Sequence, residues 1–273
     1  MDAQHKTVTF SAQPHVSFIQ SPSKSQSQPR MENLVLESFT DGDITDAILN
    51  EAARLFSENY GIWGKDSARP GKPVKLSGRR LKEQWLPESG KNFYVKVTVG
   101  GQLAGNVFAC RWLCDGKNIC WITQLVVSKD YRQRGLARTL LTFLRNQEVD
   151  IFGIISSHPA ACLAAASSFA GNIEKVSLDY VRKNATAVME SSPIAYIKNA
   201  ELSGSLFDTT ASDGMVSGVN THFLVDHEEP LEALRQVRED WQWPLGELLD
   251  GHEYLLILPA RVHRSRSRSF SRK

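Results

Sequence analysis

Hydrophobic positions between residues 33 and 171 change period several times, and each change marks an element. Residues 34–39 read as a strand. Ile48, Leu49, Ala52, Leu55 and Phe56 then recur at helical spacing, which predicts a helix that starts near Asp43 or Thr45 and runs to about Ser57. After a stretch mixing aromatics, glycines and bases, a second short helix is expected over 77–85. Three strands follow, over 93–99, 104–114 and 119–127, with Gly100-Gly101 and Asp115-Gly116 between them as tight-turn signals, so this part reads as a three-stranded antiparallel meander. A loop, SKDYRQRG, leads into a helix over 135–147 with Leu136, Leu140, Leu141 and Leu144 on one face. Residues 151–155 are continuously apolar, as a strand buried on both faces would be. A helix of small residues follows over 159–169, with Pro159 in its first turn, where a missing N–H does no harm.

Beyond Gly171 the pattern predicts a helix over 173–189, a Gly/Ser-rich loop over 203–218, a strand over 219–225, a helix over 230–241 and a strand over 253–258. There is no internal repeat. A meander followed by strand, helix, strand and helix is a mixed α/β layout.

Composition adjusts this picture at the two ends. The 273 residues are 41% hydrophobic, sufficient for a real core. No apolar run approaches the roughly 18 to 20 residues that cross a bilayer, and no signal-peptide core is visible, so the expectation is a soluble cytoplasmic or nuclear protein with no membrane partner. Cys110, Cys114, Cys120 and Cys162 include no C-x-x-C pair and read as reduced, mostly buried thiols. The net charge of +2 hides an asymmetry: residues 1–30 carry +2 and residues 261–273 carry +6, which leaves −6 on the interval between them. An acidic body excludes the broad positive face of a globular nucleic-acid binder, and any such contact would belong to the tail. Residues 1–30 are expected to be disordered, their Ser, Gln and Pro offering too little to bury. The Arg/Ser tail over 263–273 is expected to be a separate basic segment.

Candidate chemistry concentrates in ITQLVVSKDYRQRGLARTLLTFLR. A turn over Gln133, Arg134, Gly135, Leu136 and Ala137 ends at a helix N-terminus, where amides lack partners and the dipole is positive. Gly135 lets an anion approach the backbone, and Arg132 and Arg134 add countercharge. Residues 132–137 fit the signature Q/R-x-x-G-x-G/A, after a strand ending in Leu125-Val126-Val127 and before a leucine-rich helix. In that setting, residues 33–171 resemble the GNAT N-acetyltransferase superfamily. The resemblance implies a GNAT acyl-CoA N-acyltransferase fold over 31–262, with splayed central strands and flanking helices, and with 172–218 as an insertion over the cleft. It implies acetyl-CoA as co-substrate and an amine as acceptor, with no metal and no prosthetic group. It also implies that Leu125, Val126 and Val127 pair with the pantetheine arm and that the amides from Gln133 to Ala137 hold the pyrophosphate.

The catalytic groups are less well marked. Where many family members keep a tyrosine acid this chain has Ser167, and where histone-type members keep a glutamate base it has Trp121. Tyr180 or Tyr196 is left to replace the acid. His158 is the candidate base, since imidazole titrates near neutrality, with helix capping as its other reading. Asp226 and His227 are the alternatives, in a group with Glu228 and Glu229 that also suits a helix N-terminus. Tyr60, Trp63 and Trp85, with Arg79 and Arg80, are candidates for the acceptor wall. His222, His227, His252 and Glu253 lack any recognised metal spacing, as do the cysteines. The sequence therefore predicts an N-acetyltransferase of unknown acceptor and oligomeric state. An acyl-CoA-binding pseudo-acetyltransferase, or an interaction protein recruited through its Arg/Ser tail, stands as the alternative.

Overall fold

The computed structural model describes residues 6–10, 33–145 and 148–260. One nine-stranded sheet runs through them in the order β1-β2-β3-β4-β5-β6-β9-β8-β7. The meander is β3 (Lys91–Val99), β4 (Gln102–Cys114) and β5 (Lys117–Val127), joined by two-residue turns whose residues all have positive φ, the geometry that matches strand twist. Strand β2 (Leu34–Thr40) pairs antiparallel with β3, and β1 (Lys6–Phe10) pairs with β2. Thus five residues of the N-terminal segment expected to lack structure form a strand; their Thr-Val-Thr run has strand propensity and an edge to pair with.

Residue parity along the meander assigns the helices to faces. Tyr94 and Phe108 pack with Leu49, Ala52, Ala53 and Leu81, from α1 (Asp46–Asn59) and α2 (Gly78–Trp85). Thr45 and Ser77 cap these helices by accepting from the amides of Ile48 and Arg80. Val95, Val97 and Val107 point the other way, into a core shared with α3 (Leu136–Phe143) and α4 (Pro159–Phe169). Helix α5 (Leu178–Glu190) returns to the first face, where the Ala187 carbonyl accepts from the Cys114 thiol and Ser191 accepts from the Trp112 indole.

Several boundaries differ from the pattern. Helix α3 stops at Phe143 because the chain tightens there, with Arg145 donating to Thr142 and not one residue further back; residues 146–147 lie outside the described residues. The helix expected over 173–189 is a 3-10 turn, Ile173–Lys175, followed by α5, because Val176 is extended and Ser177 starts a new cap. The strand expected over 219–225 is only β8 (Gly218–Asn220); the Asn220 carboxamide accepts from the His222 amide and His222 has φ 55°, which turns the chain out of the sheet. Short strand β7 (Glu201–Ser203) edges the sheet beside β8. Helix α7 (Glu228–Asp240) starts two residues early, its first turn opened by the Asp226 carboxylate accepting from the Glu228 amide. The N-terminal residues 11–30 and the Arg/Ser tail lie outside the described residues.

At the sheet centre β5 runs parallel to β6 (Ile151–Ser156), which pairs antiparallel with β9 (His252–Pro259) on its other side. The β5–β6 register begins at Ile119↔Ile151 and ends at Ile122↔Ile154, although both strands continue. On the β4 side Phe108 faces Gln124 while Ala109 faces Ile122, so Thr123 is an extra residue in a bulge. The bulge re-aims β5 just where it leaves β6, and the two strands splay. Beneath this point Gly153 lies against Trp121; a Cβ there would come within 2.2 Å of the indole ring.

Candidate active site

A cavity of 580 Å³ opens at the splay. Ile122 to Leu125 of β5 and Ile154 to Ser156 of β6 form its back, α1 and α2 its sides, and α6 (Ala195–Lys198) its far wall. Tyr60, Trp63 and Trp85 all line it, and so does Arg80; Arg79 points away, paired with Glu83 at 2.8 Å. Two aromatic groups line the cavity. Phe56 and Tyr60 stack at 4.4 Å between centroids, and Phe223 meets Trp63 edge-on at 5.3 Å; in the second group Trp85 meets Tyr196 edge-on at 5.2 Å.

Between these groups stands Glu253, on β9. It is 5% exposed and lines the cavity. Its carboxylate accepts from the Tyr196 hydroxyl and, at 3.0 Å, from the Thr221 hydroxyl. Burial pushes its pKa up, against the pull of those two donors and the Ser157 backbone. Burial also raises the Tyr60 and Tyr196 hydroxyls, with the Glu253 charge as the next cause for each, so both phenols stay protonated. A carboxylate of raised affinity for protons, held by Tyr196 and Thr221 among aromatic walls, is suited to accept one. Nearby at the bulge, Thr123 Oγ1 and both polar atoms of the Gln124 amide are buried without hydrogen-bond partners among the described residues.

The other proposed bases lie elsewhere. His158 caps α4, its Nδ1 accepting from the Ala160 amide at 3.1 Å, while Nε2 stands 3.7 Å from Glu229; it is not among the residues lining the cavity. Asp226 and His227 belong to a second pocket of 200 Å³ with Asp66 and Asp250. The His227 ring is buried, which lowers its pKa against the opposing charges of Asp250 and Asp226. Ser167 is occupied on α4, donating to the Ala164 carbonyl, and Trp121 is buried in the core. Among the described residues no cluster of His, Cys, Asp and Glu could hold a metal, and no helix is long and apolar enough to cross a membrane. All four cysteines are free and buried.

On the opposite side of the splay, Leu125, Val126 and Val127 pair with Val107, Asn106 and Gly105 of β4 and with no strand on the β6 side. The loop after them turns twice through left-handed conformations, at Gln133 (φ 60°) and Gly135 (φ 77°), before α3 begins. The amides of Gln133, Gly135, Leu136 and Ala137 donate to no other backbone group among the described residues, and a Cβ on Gly135 would meet nothing within 4 Å. Glycine is needed at 135 for its φ, and the space above it is open. Arg132 supports the loop from below. Its guanidinium donates to the carbonyls of Val127 and Asn59 and pairs with Glu229. Arg134 lies over the Tyr131 ring and donates to the Asp130 carbonyl.

Residues 50–154, which include the bulged β5 and the turn before α3, match the model of the acetyltransferase (GNAT) family. That match covers 105 of the 273 residues. No curated protein matches the sequence. Solved structures similar to this chain include an aminoglycoside acetyltransferase from an uncultured soil metagenomic sample in complex with sisomicin, at 14% identity over 40% of this chain and 66% of the other, with a TM-score of 0.28. A tandem GNAT protein from the clavulanic acid biosynthesis pathway is similar at 19% identity over 49% and 43%, with a TM-score of 0.36. The ribosomal-protein-S18-alanine N-acetyltransferase from Escherichia coli is similar at 18% identity over 48% and 75%, with a TM-score of 0.33. The chain thus spans less than two thirds of the length of the first two.

Glu253, the most chemically apt group in the cavity, has only a metal-ligand reading in the sequence. One signal could have found it: a lone acid in an apolar run, EYLLILP, whose length and composition suit a strand buried on both faces. Phe223 and Thr221 carried no signal, since they lie on the turn that replaces the expected strand.

Proposed function

We propose that this protein transfers an acetyl group from acetyl-CoA to an amine, with Glu253 taking the proton that the acceptor must lose. The observation that carries the reading is the buried Glu253 carboxylate in the cavity at the β5–β6 splay. Acetyl-CoA, the family's co-substrate, would supply the activated acyl carbon. The residues present fit it: the open edge of Leu125 to Val127 can pair with an extended amide-bearing chain, and the amides of Gln133 to Ala137 can hold its phosphates.

In this mechanism Glu253 removes one proton from the acceptor ammonium, Tyr196 and Thr221 fixing the carboxylate that receives it. The freed nitrogen forms the new C–N bond as the C–S bond breaks, a second proton leaves the nitrogen, and one proton goes to the departing sulfur. The unpaired Thr123 and Gln124 groups at the bulge are candidates to stabilise charge on the carbonyl oxygen. Tyr60, beside Ser157 and protonated, is a candidate donor to the sulfur.

The test is Glu253→Gln, which keeps the shape and removes the basicity. Turnover on an accepted amine should fall about 10²- to 10⁴-fold with coenzyme affinity unchanged. Retained turnover would remove Glu253 from the mechanism. A second reading, acyl-CoA binding without transfer, is favoured by Ser167 and Trp121 at positions where relatives keep proton-transfer groups. It predicts tight coenzyme binding with no acetylation of any amine.

A further inference from the structure

From the two aromatic groups and the single buried charge we infer the class of acceptor: a primary monoamine on an apolar, aromatic body, its nitrogen set against Glu253 and its ring between Phe223 and Trp85. This rests on the acetyl-transfer reading for its chemistry, though not for its binding. The cavity holds four charged lining residues, Lys75, Arg80, Glu83 and Glu253. The first three are exposed at the rim, and Glu83 is already paired with Arg79. Glu253 is therefore the one buried charge in the cavity, and it stands where both aromatic groups end in a hydroxyl, Tyr60 on one side and Tyr196 on the other.

That arrangement selects against other amine classes. A polyamine brings several ammonium groups, and beyond Glu253 the interior offers no second carboxylate, so each further ammonium would be desolvated without an opposite charge. An amino sugar brings hydroxyls all round its ring, whereas the polar side chains Thr123, Gln124 and Ser156 sit together at the β5–β6 splay and the remaining walls present Phe56, Trp63, Trp85 and Phe223. A monoamine on a flat ring makes one charge-assisted contact and buries its remaining surface against aromatic faces and edges. The 580 Å³ available is within the range of pockets that enclose small organic ligands.

Calorimetry on the full chain tests this without coenzyme, using 2-phenylethylamine, benzylamine, spermidine and glucosamine as probes. The aromatic amines should bind at least about tenfold more tightly than the other two, the scale set by losing apolar contacts in a closed pocket. Phe223→Ala and Trp85→Ala should each weaken 2-phenylethylamine by about tenfold or more, and Phe223→Leu, which keeps bulk, should weaken it less. Should Trp85→Ala fail to fold, the Phe223 pair alone decides. Equal or tighter binding of spermidine or glucosamine overturns the inference, as does wild-type affinity in folded Phe223→Ala. Coenzyme binding is titrated separately. If the aromatic amine binds as expected and coenzyme A does not, the acceptor class stands and the acetyl-transfer reading falls.

Discussion

The two sides of the splay are built from different materials. On the side proposed for the coenzyme, 13 contiguous residues from Leu125 to Ala137 supply a strand edge unpaired among the described residues and a turn into a helix start, so the groups offered are backbone. On the acceptor side the groups are side chains, brought together from Tyr60, Trp85, Tyr196, Phe223 and Glu253, which span almost 200 residues of sequence. A backbone site needs only a local conformation, and local conformation is written in nearby residues: a glycine for positive φ, a strand before, a helix after. A side-chain site needs distant elements to converge, and its residues follow no spacing rule. The same chain can therefore carry a proposed coenzyme loop with a recognisable motif and a proposed acceptor site with none.

Substitutions on each side can break that contrast, and the largest effect is expected from Glu253→Gln. Beyond the loss of turnover, its stability should respond to pH in a defined direction. Glu253 has a folded pKa raised by burial, so the folded state holds its proton more firmly than the unfolded chain. Wild-type stability should fall as pH rises from the ordinary glutamate value of 4.5 through the raised folded value, while the variant is spared. The ionisable groups facing it, Tyr60, Tyr196 and Cys162, are all shifted upward by burial and stay neutral through that window. Melting curves against pH should show the variant gaining on the wild type, and a constant difference would contradict the burial argument. Acetylation should rise with pH through the same raised value once acceptor ionisation is allowed for.

Next in size is Gly135→Glu on the coenzyme side. It forces a side chain onto φ 77° at a cost of roughly 1–2 kcal/mol and places a carboxylate over the open amides. Coenzyme affinity should fall at least tenfold, or about 1.4 kcal/mol, with a melting point only a few degrees lower. Calorimetry showing intact affinity in a folded variant would detach the loop from phosphate binding.

A smaller effect separates the two roles offered for His158. As the cap of α4, its replacement by Ala should cost about 0.5–2 kcal/mol of stability and leave turnover per folded molecule intact. If turnover instead drops 10²-fold while the melting point holds, His158 and not Glu253 is the base.

The smallest effect is expected at Glu229, which joins Arg132 under the coenzyme loop to His158 on α4. His158, its Nε2 3.7 Å away, and Arg132 hold the Glu229 carboxyl down at about 2. Its contribution should be complete above pH 4.5 and disappear as pH falls to about 2, discounted because the pair is partly solvent-exposed. Glu229→Gln should lower the melting point slightly at pH 6 and not at all near pH 2.

By itself the sequence determined the meander, the helix that follows the glycine loop, and the turn at Gly135 that ends at the helix start, because period, turn chemistry and left-handed glycine act over a few residues. It also marked Tyr60, Trp63 and Trp85 as a group, since a cluster of aromatics in an irregular stretch stands out without a structure. Only the tertiary structure decided where proton-transfer chemistry could sit. Sheet order carries β9 beside β6, so Glu253 reaches the splay from the far end of the chain, and the turn at His222 delivers Phe223 and Thr221 to the same cavity. His158, close in sequence to the splay, is drawn instead into capping α4, because an extended residue before Pro159 meets the unpaired amide of Ala160 before it meets the cleft.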